Sequence, residues 1–171
     1  KLHLYSFLID KLSEFMEKET YLIRQQAERS GYQEHSNPIY FTSSYVFDNA
    51  EEMRATFADE QDGYIYSRYS NPNVDELIAK VAFLEGTETG WATASGMAAL
   101  FTTFGSLLQA GDHIISSRSI FGSTHKLFTE ILPKFGITTT YVKHSDVASW
   151  QNAVQSNTKM VYMETPTNPA L

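Results

Sequence analysis

Residues 114–142 read IISSRSIFGSTHKLFTEILPKFGITTTYV, and their reading decides the fold. Ile114 to Ser117 suits a short strand, Ser123 to Lys134 a helix, and Thr138 to Val142, rich in β-branched residues, a second strand. The alternation continues outward. Downstream, Val147 to Gln155 is a predicted helix and Met160 to Met163 a strand. Upstream, Gly96 to Gln109 is a predicted helix and Trp91 to Ala94 a short strand. Val74 to Leu84 is a further predicted helix, with Leu77, Ile78, Val81 and Leu84 on one face and Glu85-Gly86 ending it. Strands that alternate with helices imply an α/β fold with a mostly parallel sheet covered on both faces. Ligands of such sheets sit beyond the carboxyl ends of the strands, so the loops there are the ones to inspect.

The first sixty residues differ. Residues 17–29 are polar and helix-permissive. Residues 30–48 combine Gly31, Asn37 and Pro38 with the β-favouring run Ile39 to Phe47, as in an extended arm with little core of its own. Asp48 or Asn49 can cap a helix through about Asp59, and Gln61-Asp62-Gly63 breaks it. The expected organisation is an upstream extension over 1–15, an arm and helix over 16–60, and over 61–171 the first part of a larger domain. Lys1 in place of methionine, the start-like Met16-Glu17-Lys18-Glu19 and the loop-like end Asn168-Pro169-Ala170-Leu171 lead us to expect a fragment of a longer protein.

The chain has 171 residues, 42% hydrophobic and 19% charged, as in a soluble globular protein. A formal net charge of -7 argues against nucleic acid or an anionic membrane as the main partner, while one or two arginines suffice for a local phosphate. Without cysteine there is no disulfide, thiolate metal site or cysteine nucleophile. No apolar run reaches the ~20 residues of a membrane span, and a cytoplasmic location is expected. His113 and His125 have no second ligand at metal spacing, so no metal is assigned.

Four loops stand out. Ala94-Ser95-Gly96-Met97-Ala98 is a small-residue turn opening a helix. Such a helix mouth offers free N–H groups and partial positive charge to a phosphate, although on these residues alone a plain tight turn with a serine cap is the commoner reading. Tyr64 to Pro72 sets Arg68 between tyrosines. It is either a forked phosphate donor or a solvated arginine on an aromatic loop. Ser119 to His125 carries Phe121, a candidate to stack on a flat cofactor or simply a core residue. Glu164-Thr165-Pro166-Thr167-Asn168-Pro169 brings a carboxylate and an amide to the end of the last strand, or forms only a proline-braked turn.

Taken together, and in this order, these segments resemble the Cys/Met-metabolism (trans-sulfuration) family of pyridoxal-phosphate enzymes. That family includes cystathionine γ-synthase, cystathionine γ-lyase, methionine γ-lyase and the O-acyl-homoserine sulfhydrylases. The similarity runs from about residue 20 to the end. It covers His35-Ser36-Asn37-Pro38-Ile39-Tyr40, Tyr66-Ser67-Arg68-Tyr69-Ser70-Asn71-Pro72, Ser95-Gly96-Met97-Ala98, Gly111-Asp112-His113 and Glu164 to Pro169.

The resemblance implies the aspartate aminotransferase-like fold (fold type I) of PLP-dependent transferases, with pyridoxal 5'-phosphate as cofactor. It implies that Ser95 and the N–H groups of Gly96 and Met97 bind the phosphate. Tyr66 and Arg68 would bind the phosphate of a neighbouring subunit, making the site a property of a homo-oligomer, dimer or homotetramer. Phe121 would stack on the ring, and Glu164 and Asn168 would lie near it. Many members have tyrosine where Phe121 stands. Phenylalanine keeps the stacking but has no phenol to move protons, which resembles the sulfhydrylase branch, the O-succinylhomoserine type in particular.

The implied reaction is γ-replacement of an O-acyl-homoserine by sulfide or a thiol in methionine and cysteine metabolism. The alternatives are a synthase or γ-lyase of the same family, or a non-catalytic assembly module. A nucleotide-binding domain lacks its Gly-x-Gly-x-x-Gly or Gly-Lys-Ser/Thr turn. Family members hold the cofactor through a lysine expected beyond Leu171, so no catalytic residue is assigned here. Ser156-Asn157-Thr158-Lys159 is similar to the motif around that lysine, but it precedes a strand. Lys159 is therefore expected at the amino edge of the sheet, away from the cofactor loops. The piece alone is expected to be inactive and poorly stable, because a truncated sheet exposes an apolar edge.

Overall fold

The computed structural model of the protein describes residues 17–25 and 29–169. The expected extension over 1–15 lies outside the described residues. The chain forms two compact units that divide between Ala92 and Thr93.

The first unit holds α1 (Lys18–Arg24), α2 (Ala50–Phe57) and α3 (Pro72–Glu85). Helix α2 begins where the Asn49 side chain accepts the Glu52 N–H at 2.9 Å, while the Glu52 carboxylate reaches back to the Asp48 N–H at 2.7 Å. Helix α3 begins after Asn71, whose side chain accepts the Asn73 N–H at 3.0 Å. Pro72 occupies the first turn, where its missing N–H has no partner to lose. The helix closes on Gly86, at φ +65°. Tyr21 of α1 is buried and stacks on Phe83 of α3 with ring centroids 3.9 Å apart.

Residues 38–45 run extended along this unit. The Asn71 amide donates to the Tyr40 carbonyl at 3.0 Å. The Asn73 side chain donates to the Pro38 carbonyl and accepts from the Tyr40 N–H, both at 2.8 Å. Apolar side chains of the strip stay in solvent: Ile39 and Phe41 are each at least 85% exposed, as is Val46 just after it.

The apolar face of α3 stays largely open. Leu77, Val81 and Leu84 are about half exposed, and the residues buried are Pro72, Ala79 and Ala82. The small side chains are the ones that meet the rest of the unit. The periodicity marks a face that can be covered, and the described residues of the unit do not cover it.

The second unit contains α4 (Gly96–Leu107), β1 (His113–Ser117), α5 (Gly122–Lys126), β2 (Thr138–Val142), α6 (Val147–Asn152) and β3 (Thr158–Tyr162). The strands form a parallel sheet in the order β2-β1-β3, the α/β arrangement expected. All five residues of the central strand β1 are buried. Phe104, Ile114, Ile120, Leu127, Phe128, Leu132 and Ile137 make the core between sheet and helices.

Three expectations are corrected. Trp91 to Ala94 is not a strand, since no described neighbour pairs with its backbone. The helix expected over 123–134 is regular only to Lys126, then passes through a π turn (Leu127–Ile131) and a 3₁₀ turn (Leu132–Phe135). Pro133 has no N–H to give to the Thr129 carbonyl, which breaks the α ladder there. Helix α6 ends at Asn152 rather than Gln155; its start is capped by Asp146. No helix among the described residues is long and apolar enough to cross a membrane.

Candidate functional site

Three chain segments converge on the carboxyl edge of the second unit's sheet. Helix α4 is joined to β1 by the short link Leu108–Asp112, pinned by the Gln109 N–H on the Asp112 carboxylate at 2.8 Å. A helix of this length so tightly linked to a strand must run back along it, which carries the start of α4 to the carboxyl end of β1. Contacts agree: α4 packs beside α5, and Met97 packs on the core.

The mouth of α4 has spare donors. Ser95 is extended, and its hydroxyl oxygen accepts the Ala98 N–H at 3.2 Å, while the Ala99 N–H goes to the Ser95 carbonyl. The N–H groups of Gly96 and Met97 are used by no hydrogen bond among the described residues. Gly96 is exposed, and a Cβ built on it would meet nothing within 4 Å. Neither a left-handed backbone nor packing requires glycine there. What the glycine keeps is open space in front of two unpaired donors at the positive end of a helix dipole, and this donor set fits a phosphate.

Phe121 stands at the end of the loop after β1 and is 45% exposed. Its backbone N–H donates to both carboxylate oxygens of Glu164 at 3.0 Å. The Asn168 N–H lies 3.5 Å from the Ser119 carbonyl, drawing the loop after β3 onto the loop after β1. Ser95, Gly96, Met97, Phe121, Glu164 and Asn168 thus share one edge of one unit. Tyr66 and Arg68 belong to the other unit.

In that first unit the Tyr66 carbonyl accepts the N–H groups of Tyr69 and Ser70 at 2.8 and 3.2 Å, and Tyr66 bridges to Ser44. The tight turn sets the Arg68 guanidinium 5.4 Å from the Tyr66 ring centroid and 5.3 Å from that of Tyr69. Arg68 is exposed and has no ion pair among the described residues, so its fork of donors is free.

Lys159 is exposed, in the second position of β3. Its neighbour Thr158 pairs with His113, the first residue of β1, so Lys159 lies at the amino edge of the sheet.

One contributor escaped the sequence reading. The Tyr162 hydroxyl donates to Glu164 Oε1 at 3.1 Å. Residues two apart on a strand point to the same face, so the spacing of Tyr162 and Glu164 was a usable signal. Tyr162 falls within the expected strand Met160 to Met163, where no site role was read.

The sequence model of the Cys/Met metabolism PLP-dependent enzymes matches residues 19–171. The chain belongs to this family. Among its relatives in the Cys/Met metabolism family, the O-succinylhomoserine sulfhydrylase of Mycobacterium tuberculosis is 44% identical over 141 residues, covering 82% of this chain and 35% of that protein. The L-methionine gamma-lyase of Fusobacterium nucleatum is 43% identical over 134 residues, covering 78% of this chain and 34% of that protein. A solved structure from Campylobacter jejuni, provisionally an O-acetylhomoserine (thiol)-lyase, superposes with a TM-score of 0.82 at 34% identity, covering 90% of this chain and 38% of that one. It carries N'-pyridoxyl-lysine-5'-monophosphate. The chain therefore spans about a third of the length of these Cys/Met metabolism proteins. The family's cofactor is pyridoxal phosphate, and the free donors and open space at Gly96 suit its phosphate group.

Proposed function

We propose that this chain supplies the phosphate cradle and ring-stacking side of a trans-sulfuration enzyme that replaces the γ-acyloxy group of an O-acyl-homoserine with sulfide or a thiol. The observation that carries this is the pair of unused N–H groups at Gly96 and Met97. They open onto free space on the same sheet edge as the exposed Phe121 ring. Gly96 and Met97 would hold the phosphate through their N–H groups, with the Ser95 hydroxyl proton as a further donor. Phe121 would lie against the ring face, and Glu164 and Asn168 would border the ring. Arg68 and Tyr66 would complete the phosphate site of a second copy, in a homo-oligomer working in the cytoplasm. When bound, pyridoxal phosphate supplies the electron sink that lets a γ-substituent leave and a sulfur nucleophile add.

Phe121 favours replacement over a lyase reaction assisted by a ring hydroxyl, because a phenyl side chain can neither take nor give a proton. The likeness to O-succinylhomoserine sulfhydrylases supports a succinyl ester as substrate. The test uses the full-length protein with pyridoxal phosphate, O-succinylhomoserine and sulfide. Homocysteine and succinate are the expected products. Rapid breakdown of methionine to methanethiol, with no homocysteine formed, would overturn the assignment.

A further inference from the structure

Glu164 is held from two sides, and only one of them belongs to the loop it serves. The Phe121 N–H reaches both of its oxygens at 3.0 Å, and the Tyr162 hydroxyl reaches Oε1 at 3.1 Å. Tyr162 is itself fixed by packing. Its ring meets Phe104 and Phe128 edge-on, with centroids 5.6 and 5.4 Å away, and Phe104 and Phe128 are both almost fully buried. A rigid aromatic cluster in the core is thereby connected, through one hydroxyl and one carboxylate, to the backbone of the residue whose ring is exposed at the sheet edge.

We propose that Tyr162 is a positioning residue for the Phe121 ring, acting through Glu164, a role that rests on the cofactor site described above. A carboxylate on a strand end can swing among rotamers; with the phenol proton on Oε1 it keeps the orientation that receives the Phe121 N–H. The Phe121 carbonyl accepts the His125 N–H at 3.0 Å, and with no side-chain cap at the start of α5 the Glu164 bond is what holds the N–H side of its backbone. Burial, reinforced by the Glu164 carboxylate, holds the phenol's pKa above its ordinary value of 10. The donor therefore stays protonated through the neutral range.

The decisive variant is Tyr162→Phe in the full-length protein, since it keeps the ring among Phe104 and Phe128 and deletes only the hydroxyl. Its companion is Glu164→Gln, which alters the same link without touching the packed ring. The readouts are thermal unfolding without cofactor, the pyridoxal phosphate dissociation constant, and the visible circular dichroism of the bound cofactor, which senses ring orientation. For Tyr162→Phe, unfolding should be unchanged, the dissociation constant should rise about three- to tenfold, and the visible signal should change. In the Glu164→Gln background the same change should add little further, because its route is already altered. A Tyr162→Phe protein with unaltered affinity and dichroism would overturn the positioning role alone. A parent protein that binds no pyridoxal phosphate would overturn the cofactor site and this role with it.

Discussion

The backbone of Phe121 and the carboxylate of Glu164, 43 residues apart in sequence, meet at 3.0 Å across the carboxyl edge of the sheet. The bond joins the loop after β1 to the loop after β3, the two outward turns of adjacent parallel strands. It should matter to ligand more than to fold. Truncating Glu164→Ala is expected to weaken cofactor binding about tenfold or more, with Glu164→Gln intermediate, because an exposed N–H freed of its acceptor can turn to water. A cofactor titration of the three proteins checks this order; equal affinities would contradict it.

Gly96 separates stability from binding. With free space around its Cβ position and an ordinary helical backbone, Gly96→Ala should leave the cofactor-free unfolding temperature unchanged or slightly raised. The same methyl group stands where the phosphate would approach, so cofactor affinity should fall about tenfold or more. A variant that loses stability and keeps affinity would reverse the account of this glycine.

Arg68 is assigned to the site of another copy, and complementation tests that directly. Full-length Arg68→Ala and Gly96→Val should each bind cofactor poorly. Mixed and reassembled in equal amounts, they should regain about a quarter of parental activity, since half of randomly formed dimers carry one intact site of two. Mixtures no more active than either variant would place Arg68 in its own chain's site.

His113 should make the fold sensitive to acid. It is 1% exposed, with its ring nitrogens 2.8 Å from the hydroxyls of Thr158 and Thr140 and the Gln155 amide 3.3 Å away. Burial holds its pKa below 6.5, so the folded protein favours the neutral ring while the unfolded chain takes a proton more readily. The resulting stabilisation is complete above about pH 6.5 and is lost as pH falls below it, toward the lowered folded value. Urea unfolding at about pH 7.5 and 5.5 should show a larger loss for the parent than for His113→Gln. Identical losses would remove His113 from the acid response.

Local signals in the sequence were legible wherever the physics was local. Asn49 and Ser95 cap helices where the sequence offered them, and Asn71 and Asp146 cap two further helices that lie where the sequence places them. The strands Ile114 to Ser117 and Thr138 to Val142 lie where the β-favouring runs are. What failed depended on distant neighbours. Trp91 to Ala94 has strand-like composition but no described partner. The apolar face of α3 says nothing of what meets it. The Tyr162–Glu164–Phe121 chain needed β1 and β3 to be adjacent, which no run of residues states. At the helix mouth the local residues favoured a plain serine-capped turn over a phosphate site. The structure adds that the serine does cap, and that two further N–H groups remain beside open space.

The mouth of α4 should grip an anionic group. A crystal structure of the full-length protein with pyridoxal phosphate measures this most directly. Phosphate oxygens are expected within about 3.2 Å of the Gly96 and Met97 nitrogens, on the side that faces Phe121. A phosphate bound elsewhere, with those two N–H groups turned to water, would contradict it.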